Sequence, residues 1–349
     1  MKFAFTRAVN FAAVFSSYFL SRLTGRVIHF GYPVAAGIEP NNTCNLHCPE
    51  CPAGMSDLSR PVGCMDFSLF RSAVDQLLPG LSWITLYFQG EPYLNPRFFE
   101  FIRYARERKI FVASSTNGHF LTGENVKKTL ESDLNRLIVS LDGPDSQSYT
   151  LYRKGGDFDR VINGIRKLTG ERARLGLRHP RIILQCLLLK SNEDRLEEMK
   201  RLAKELGVDK IEFKTAQFND FESGHPLMPD NPALSRYHPV PGSRPDRPAG
   251  SPKPEGNPSA HQHTGTSAYY KINNPLRNHC FRMWSSCVIT WDGKVVPCCF
   301  DKDAHHELGD LRKQSFREIW KGEAAFNFRK TILRDRKSVE MCRNCSQRF

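Results

Sequence analysis

Three cysteines, Cys44, Cys48 and Cys51, fall within eight residues, "CNLHCPEC", at the spacing C-x3-C-x2-C. Thiolates grouped in this way bind zinc or iron–sulfur clusters. A structural zinc site closes four positions, and this loop supplies three. Two readings follow. His47 or Cys64 completes a zinc site, or three thiolates hold a four-iron cube whose fourth iron stays open to a substrate or cofactor. A second group gathers near the other end: Cys280, Cys287, Cys298 and Cys299, then Cys342 and Cys345 in "CRNC". Four thiolates drawn from this group suit a closed site, either a cluster or zinc. Cys186 stands alone within an apolar run and reads as core packing, whereas Cys64, just past the first loop, is a candidate hydrogen-atom donor. Eleven cysteines are an odd number, clustered in a chain of 349 residues. That pattern suits metal binding in a reducing compartment better than a secreted disulfide framework.

The elements that position these groups alternate between strand and helix from residue 34 onward. Strands are expected at 34–39, 82–88, 111–118, 136–143, 181–190 and 210–218. Helices are expected at 66–78 with Asp66 as N-cap, at 96–109, 124–133 and 158–176, and at 193–207 with Gly207 as the stop. Six such units in order imply a parallel sheet with helices outside, an α/β fold. Residues 34–218 are too few for a complete eightfold barrel of roughly 250 residues, so a partial (β/α)6 TIM-like barrel is expected. Parallel strands place active groups in the loops after their C-terminal ends. The cysteine loop, "QGEP" (89–92), "STNG" (115–118) and "SLDGP" (140–144) all fall there.

With the cysteine loop and "QGEP" on one rim, the chain resembles the radical S-adenosylmethionine (radical SAM) superfamily over residues 34–218. The C-terminal cysteines, with Cys280-x12-Gly293-x4-Cys298, resemble the SPASM/Twitch auxiliary-cluster modules of that superfamily. The resemblance implies that Cys44, Cys48 and Cys51 ligate a 4Fe–4S cluster whose open iron chelates the amine and carboxylate of SAM. It implies reductive cleavage of SAM to a 5′-deoxyadenosyl radical, which takes a hydrogen atom from the substrate. Carried over motif by motif, Gly90, Glu91 and Pro92 match the strand-2 motif at the SAM amino group, although Gln89 replaces a usual glycine. Ser140 and Asp142 match the fourth-strand position, and Arg153 matches an arginine that meets the SAM carboxylate. Asn117 and Asn192 are further candidates on the same rim. Glu50 stands where an aromatic residue is common. Cys280, Cys298, Cys342 and Cys345 are the implied ligands of one auxiliary 4Fe–4S cluster, with zinc as the alternative.

The domain expectations are an N-terminal helical segment (1–33), the radical SAM core (34–222), a Pro/Gly/His-rich linker or flexible loop (223–278) and a small α+β auxiliary-cluster module (279–349). The expected substrate is a peptide or protein modified oxidatively. An aminocyclitol or sugar dehydrogenase or epimerase is the alternative within the superfamily, and a non-catalytic iron–sulfur or zinc binding module the alternative outside it. A reductase or a flavodoxin or ferredoxin is the implied electron donor. The net charge of +13 reads either as a solvated basic face or as attraction for an anionic partner; a nucleic-acid partner is not expected. The segment "FAAVFSSYFL" (11–20) is too short to span a bilayer, which takes about 20 apolar residues. It reads as a helix packed on the core, or as an in-plane helix touching a membrane through residues 1–26. The expected location is cytoplasmic, with peripheral contact to the inner membrane surface as the variant.

Overall fold

A computed structural model describes residues 2–241, 269–272 and 274–346. The six expected strands form as β1 (Ala35–Ile38), β2 (Trp83–Leu86), β3 (Phe111–Thr116), β4 (Arg136–Ser140), β5 (Arg181–Leu188) and β6 (Lys210–Thr215), all parallel and adjacent in chain order. The sheet is mixed overall, because three C-terminal strands extend it beyond β1. They are β9 (Ser286–Ile289), β10 (Lys294–Val296) and β11 (Gly309–Asp310). Between β6 and β9 a separate two-stranded ribbon pairs β7 (Tyr237–Pro239) with β8 (Tyr270–Ile272). β9 lies parallel to β1 with Ala35 opposite Ser286 and Ile38 opposite Ile289. The cysteine-rich C-terminal region therefore shares its backbone ladder with the barrel. The Asp-Gly hairpin turn between β9 and β10 is present, with Gly293 at φ +94°.

Side-chain alternation decides what the barrel encloses. Ile84, Leu86, Val112, Leu137, Val139, Ile182 and Leu184 face outward under the helices and join one buried core. The opposite faces carry large residues near their starts, such as Trp83, Phe111, Ile138 and Ile183, and small or polar ones elsewhere, Ala35 and Gly37 on β1, Thr85 on β2, Ser115 on β3, Ser140 on β4 and Gln185 on β5, which do not fill the interior. A complete TIM barrel packs this space with branched apolar side chains; here it stays open.

The helices start where short polar side chains satisfy their first N–H groups. Asp66 accepts from Leu69 N at 2.9 Å, Asp145 from Ser148 N at 2.8 Å and Asp157 from Arg160 N at 3.0 Å. The helix expected over 193–207 begins later, at Leu196. Glu193 is drawn out of it because its carboxylate accepts from the backbone N–H groups of Asp230 and Asn231. The expected N-terminal helix runs Lys2–Thr24 and packs on the core. Val14 is fully buried beside Trp284, and the Tyr18 hydroxyl lies 3.0 Å from His279 Nδ1.

Composition marks 223–278 as linker, but its described flanks are folded. Tyr237 is buried beside Phe218, Phe221 and Met228, and its hydroxyl binds the backbone of Phe218 and the side chain of Asn344. The remainder of that expectation lies outside the described residues.

Candidate active site

The loop that follows β1 is tied down from three sides. Glu91 N donates to Thr43 O at 2.7 Å, His47 N donates to Lys154 O at 2.9 Å, and Asn117 Nδ2 donates to Asn45 Oδ1 at 2.8 Å. Gly90 has φ +73°, and a Cβ there would meet Thr43 O at 2.6 Å. Only glycine permits the β2 loop to approach the cysteine loop this closely. Cys44, Cys48 and Cys51 are brought together in the wall of one pocket of about 290 Å³.

Five of the eight residues expected at the cofactor line the same pocket: Gly90, Glu91, Asn117, Ser140 and Arg153. The other three lie behind it. Asp142 is fully buried, accepting from Arg153 Nε at 2.6 Å and from Leu187 N at 2.7 Å. Asn192 is also buried and spans Asp142 O, Leu187 O and Leu189 N. Pro92 opens a 3-10 turn, Pro92–Leu94, packed inside the fold. A motif read from sequence places such residues on the rim without fixing which way they face. Cys64 is exposed, pairs its backbone with Asn41, and does not line the pocket, so its position offers a radical no hydrogen atom. His47 turns its Nδ1 to Gly54 O at 3.2 Å.

The electrostatics fit a cationic guest. Burial pushes the Cys48 thiol up to about 11, against the neighbouring Arg153 guanidinium, and it also raises Cys44. Such thiols become thiolates when a metal centre supplies the missing positive charge. Burial likewise pushes Glu91 up to about 7, opposed by hydrogen bonds from Asn117 N, Thr116 Oγ1 and Tyr93 N. A carboxylate offers about four lone-pair sites, so one remains for a ligand. Burial also works against charge on Arg153, but Asp142 and Cys48 outweigh it and hold it cationic. Gln185 was not expected here. It lines the pocket from β5, and its Oε1 is buried with no hydrogen-bond partner among the described residues, which leaves an acceptor for a ligand donor. Its alternation with outward-facing Leu184 and Cys186 was the available sequence signal.

A second pocket is lined by Cys280, Cys298, Cys342 and Cys345 together with Met283, Ile332 and Arg336. Arg336 donates to Cys345 Sγ at 3.4 Å and to His279 O at 3.1 Å. Burial pushes Cys342 up to about 11, so the same argument from missing positive charge applies. Cys299 turns away from this pocket and lines a third space, the open barrel interior of about 690 Å³. Tyr87 and Phe88 stand in the walls of both this lumen and the first cysteine pocket. Cys287 also lines the lumen, and Cys186 is buried in the core as expected.

A parallel barrel with three thiols on the rim after its first strand defines a class of enzymes that work through iron–sulfur chemistry. Residues 38–203 match the model of the radical SAM superfamily, and residues 280–346 match that of SPASM, an iron–sulfur cluster-binding domain. The chain belongs to the radical SAM superfamily. It is an enzyme whose cofactors are SAM and 4Fe–4S clusters, and the donor sets described above fit both. The tungsten-containing aldehyde ferredoxin oxidoreductase cofactor-modifying protein of Pyrococcus furiosus is 26% identical over 332 residues, covering 89% of this chain and 86% of that protein. An AdoMet-dependent heme synthase of Methanosarcina barkeri is 31% identical over 166 residues, 47% of this chain, and the match spans less than half of that protein, 45%. Among solved structures, Streptococcus suis SuiB bound to precursor peptide SuiA superposes with a TM-score of 0.58 at 13% identity, covering 85% of this chain and 67% of that one.

Proposed function

We propose that this enzyme cleaves SAM reductively and uses the resulting radical to take a hydrogen atom from a substrate held in the barrel lumen. The observation that carries this reading is the convergence of Cys44, Cys48 and Cys51 with Glu91, Asn117 and Arg153 on one pocket beside an open lumen. Cys44, Cys48 and Cys51 would hold an iron–sulfur cluster, which would supply the electron for cleaving SAM to methionine and a 5′-deoxyadenosyl radical. The chain's own residues do the positioning. Arg153, held by Asp142, offers a guanidinium to the SAM carboxylate, a charge-assisted contact. Glu91 offers its remaining lone pair to the SAM ammonium. Tyr87 and Phe88, shared by pocket and lumen, separate SAM from the substrate. Cys280, Cys298, Cys342 and Cys345 hold one auxiliary cluster with every iron ligated by protein, which suits electron acceptance or a structural role.

The substrate is a peptide or protein side chain that reaches into the lumen. A specific observation favours a second reading, a compact small molecule. The lumen volume of about 690 Å³ lies within the range of sites that enclose whole small ligands, and the relative aligned along most of the chain is named for modifying a cofactor. The test of the core proposal is anaerobic reconstitution with a reductant and SAM. 5′-Deoxyadenosine is expected, and unchanged turnover in a Cys48→Ser variant would show that the loop is not the reaction centre.

The N-terminal helix gives the reading a location. Its outer face leaves Phe5 74%, Val9 53%, Phe15 52% and Leu23 68% exposed. No acidic residue precedes Glu39, while Arg22 and Arg26 lie at and just beyond the end of the helix; Arg7 turns back onto the fold and donates to Lys109 O and Arg108 O. Among the described residues, no helix is long and apolar enough to cross a membrane. Apolar and basic together, this face matches an anionic bilayer surface, with the helix lying in its plane. Sedimentation with vesicles of phosphatidylglycerol and phosphatidylcholine should capture the protein, and a Phe5→Asp, Phe15→Asp variant should stay in solution. Equal behaviour of the two, or a dimer dissolved by the same changes, would overturn this assignment.

A further inference from the structure

The inner face of β6 reads Lys210, Glu212, Lys214, while Ile211 and Phe213 turn outward onto the core. Two of these three charges cancel, since Lys210 Nζ lies 2.8 Å from Glu212 Oε1. Lys214 lines the lumen and has no carboxylate partner within salt-bridge distance among the described residues. Arg282 lines the same lumen. Its Nη1 donates to Cys299 Sγ at 3.7 Å, and it too has no carboxylate partner among the described residues. Both cations lie within electrostatic range of the Cys299 sulfur, so they face one region of the cavity. Burial lowers the pKa of Lys214, against the opposing charges of Glu212 and Cys299.

The blander role for such cations is to balance the charge of a thiolate cluster. Arg282 is placed for that, because it lines the C-terminal cysteine pocket as well as the lumen. Lys214 lines neither cysteine pocket. It projects from β6 into a space walled on one side by Trp83, Thr85, Tyr87, Phe88 and small residues of β1, and on the other by residues of the C-terminal region within 282–288 and 297–299. An amine without an ion-pair partner and a guanidinium held only at a cysteine sulfur among the described residues, in one aromatic-walled cavity, form a recognition site for an anion.

We infer that the lumen binds its substrate through an anionic group, a carboxylate or phosphate, held by Lys214 and Arg282. The inference rests on the reading that the lumen is the substrate space. The anion belongs either to a small molecule or to an acidic side chain of a peptide, and the chemistry that Lys214 and Arg282 recognise is the same in both.

The experiment is calorimetric titration of the reconstituted, SAM-loaded enzyme with two probes, inorganic phosphate and the blocked tripeptide acetyl-Ala-Glu-Ala-amide. Ionic strength is held constant, because screening would otherwise mimic competition. At least one probe should bind. Lys214→Glu should weaken that binding about tenfold or more, the loss of one hydrogen bond to a charged group. Lys214→Arg, which keeps the charge, should stay close to wild type, and equal iron content in the three proteins guards against misfolding. Tighter phosphate binding identifies a small anionic substrate, tighter tripeptide binding a peptide, and either supports the site. Equal affinity in wild type and Lys214→Glu, or no binding by wild type, overturns it. 5′-Deoxyadenosine formation by wild type is scored separately. Its absence alongside charge-dependent probe binding would sink the radical reading and leave the anion site standing.

Discussion

Arg153 Nε lies 2.6 Å from Asp142 Oδ2, and the same guanidinium reaches toward Cys48 Sγ at 3.9 Å. Asp142 is fully buried, so its charge is stabilised by that arginine and by Leu187 N at 2.7 Å. Asp142 thus acts on SAM through Arg153, as a positioning residue. Asp142→Asn should raise the KM for SAM about tenfold, in line with losing one charge-assisted hydrogen bond. Iron content should not change. Loss of iron together with affinity would show that the pair supports the cysteine loop instead.

Gly90→Ala tests the close approach of two loops. The added methyl group would meet Thr43 O at 2.6 Å, beside Asn41 Oδ1 at 2.7 Å, in a backbone conformation with φ +73°. Backbone atoms cannot yield as a flexible side chain can. The variant should lose SAM binding at least tenfold, a cost of 1–3 kcal/mol being typical of such strain. Equilibrium dialysis with labelled SAM measures this directly.

How far the sequence revealed these features depends on the range of the interactions. The six barrel strands were legible because each is a buried, mostly apolar run such as "RIILQCLL", closed by a polar turn. The pairing of β9 with β1 was not. Nothing local in "SCVI" specifies a partner some 250 positions earlier, so the C-terminal module read as separate. The helix Ser146–Tyr152, which delivers Arg153 at its C-cap, escaped notice because seven residues carry too little periodicity. Proline content made 223–241 look like linker, although Met228 and Tyr237 bury there against Phe218 and Phe221. In the pocket, chemistry was readable from residue type, but facing was not. Asp142 and Asn192 match motif positions and still point into the fold.

Arg60 and Glu39 form a bidentate pair at 2.6 and 2.7 Å, both buried. Glu39 also accepts from Trp291 N at 3.1 Å, and Arg60 Nε donates to Lys302 O at 2.7 Å. The pair therefore ties the barrel to the C-terminal region. Arg60→Ala would strand a buried carboxylate and should cost about 3–5 kcal/mol. Urea unfolding of the reconstituted protein measures it, and Glu39→Gln combined with Arg60→Met should recover much of the loss.

His29 provides the pH prediction. Burial, reinforced by Arg329, pulls its pKa down to about 3, with the ring edge-on to Trp320 at 5.2 Å. The folded protein thus resists protonating a group that the unfolded chain protonates below about 6.5. This depressed pKa contributes stability that is fully present above 6.5 and is lost as pH falls toward 3, at up to about 1.4 kcal/mol per pH unit. His29→Leu should flatten the decline between pH 6.5 and 5. An unchanged slope would place its origin in other groups.

The last prediction concerns which of two adjacent cysteines holds the second cluster. The spacing from Gly293 selects Cys298, and the two neighbours differ in which spaces they line. Cys298 lines the pocket shared with Cys280, Cys342 and Cys345 as well as the lumen, whereas Cys299 lines the lumen beside Arg282 and not that pocket. With Cys44, Cys48 and Cys51 all changed to alanine, the protein should keep four irons and four sulfides. Cys298→Ala on that background should lose them. Cys299→Ala should retain them, because its sulfur is not needed to close the site. Metal and sulfide analysis reads all three proteins. Zinc in place of iron would replace the cluster with the closed four-thiolate alternative, and loss of iron on Cys299→Ala alone would reverse the assignment of the two neighbours.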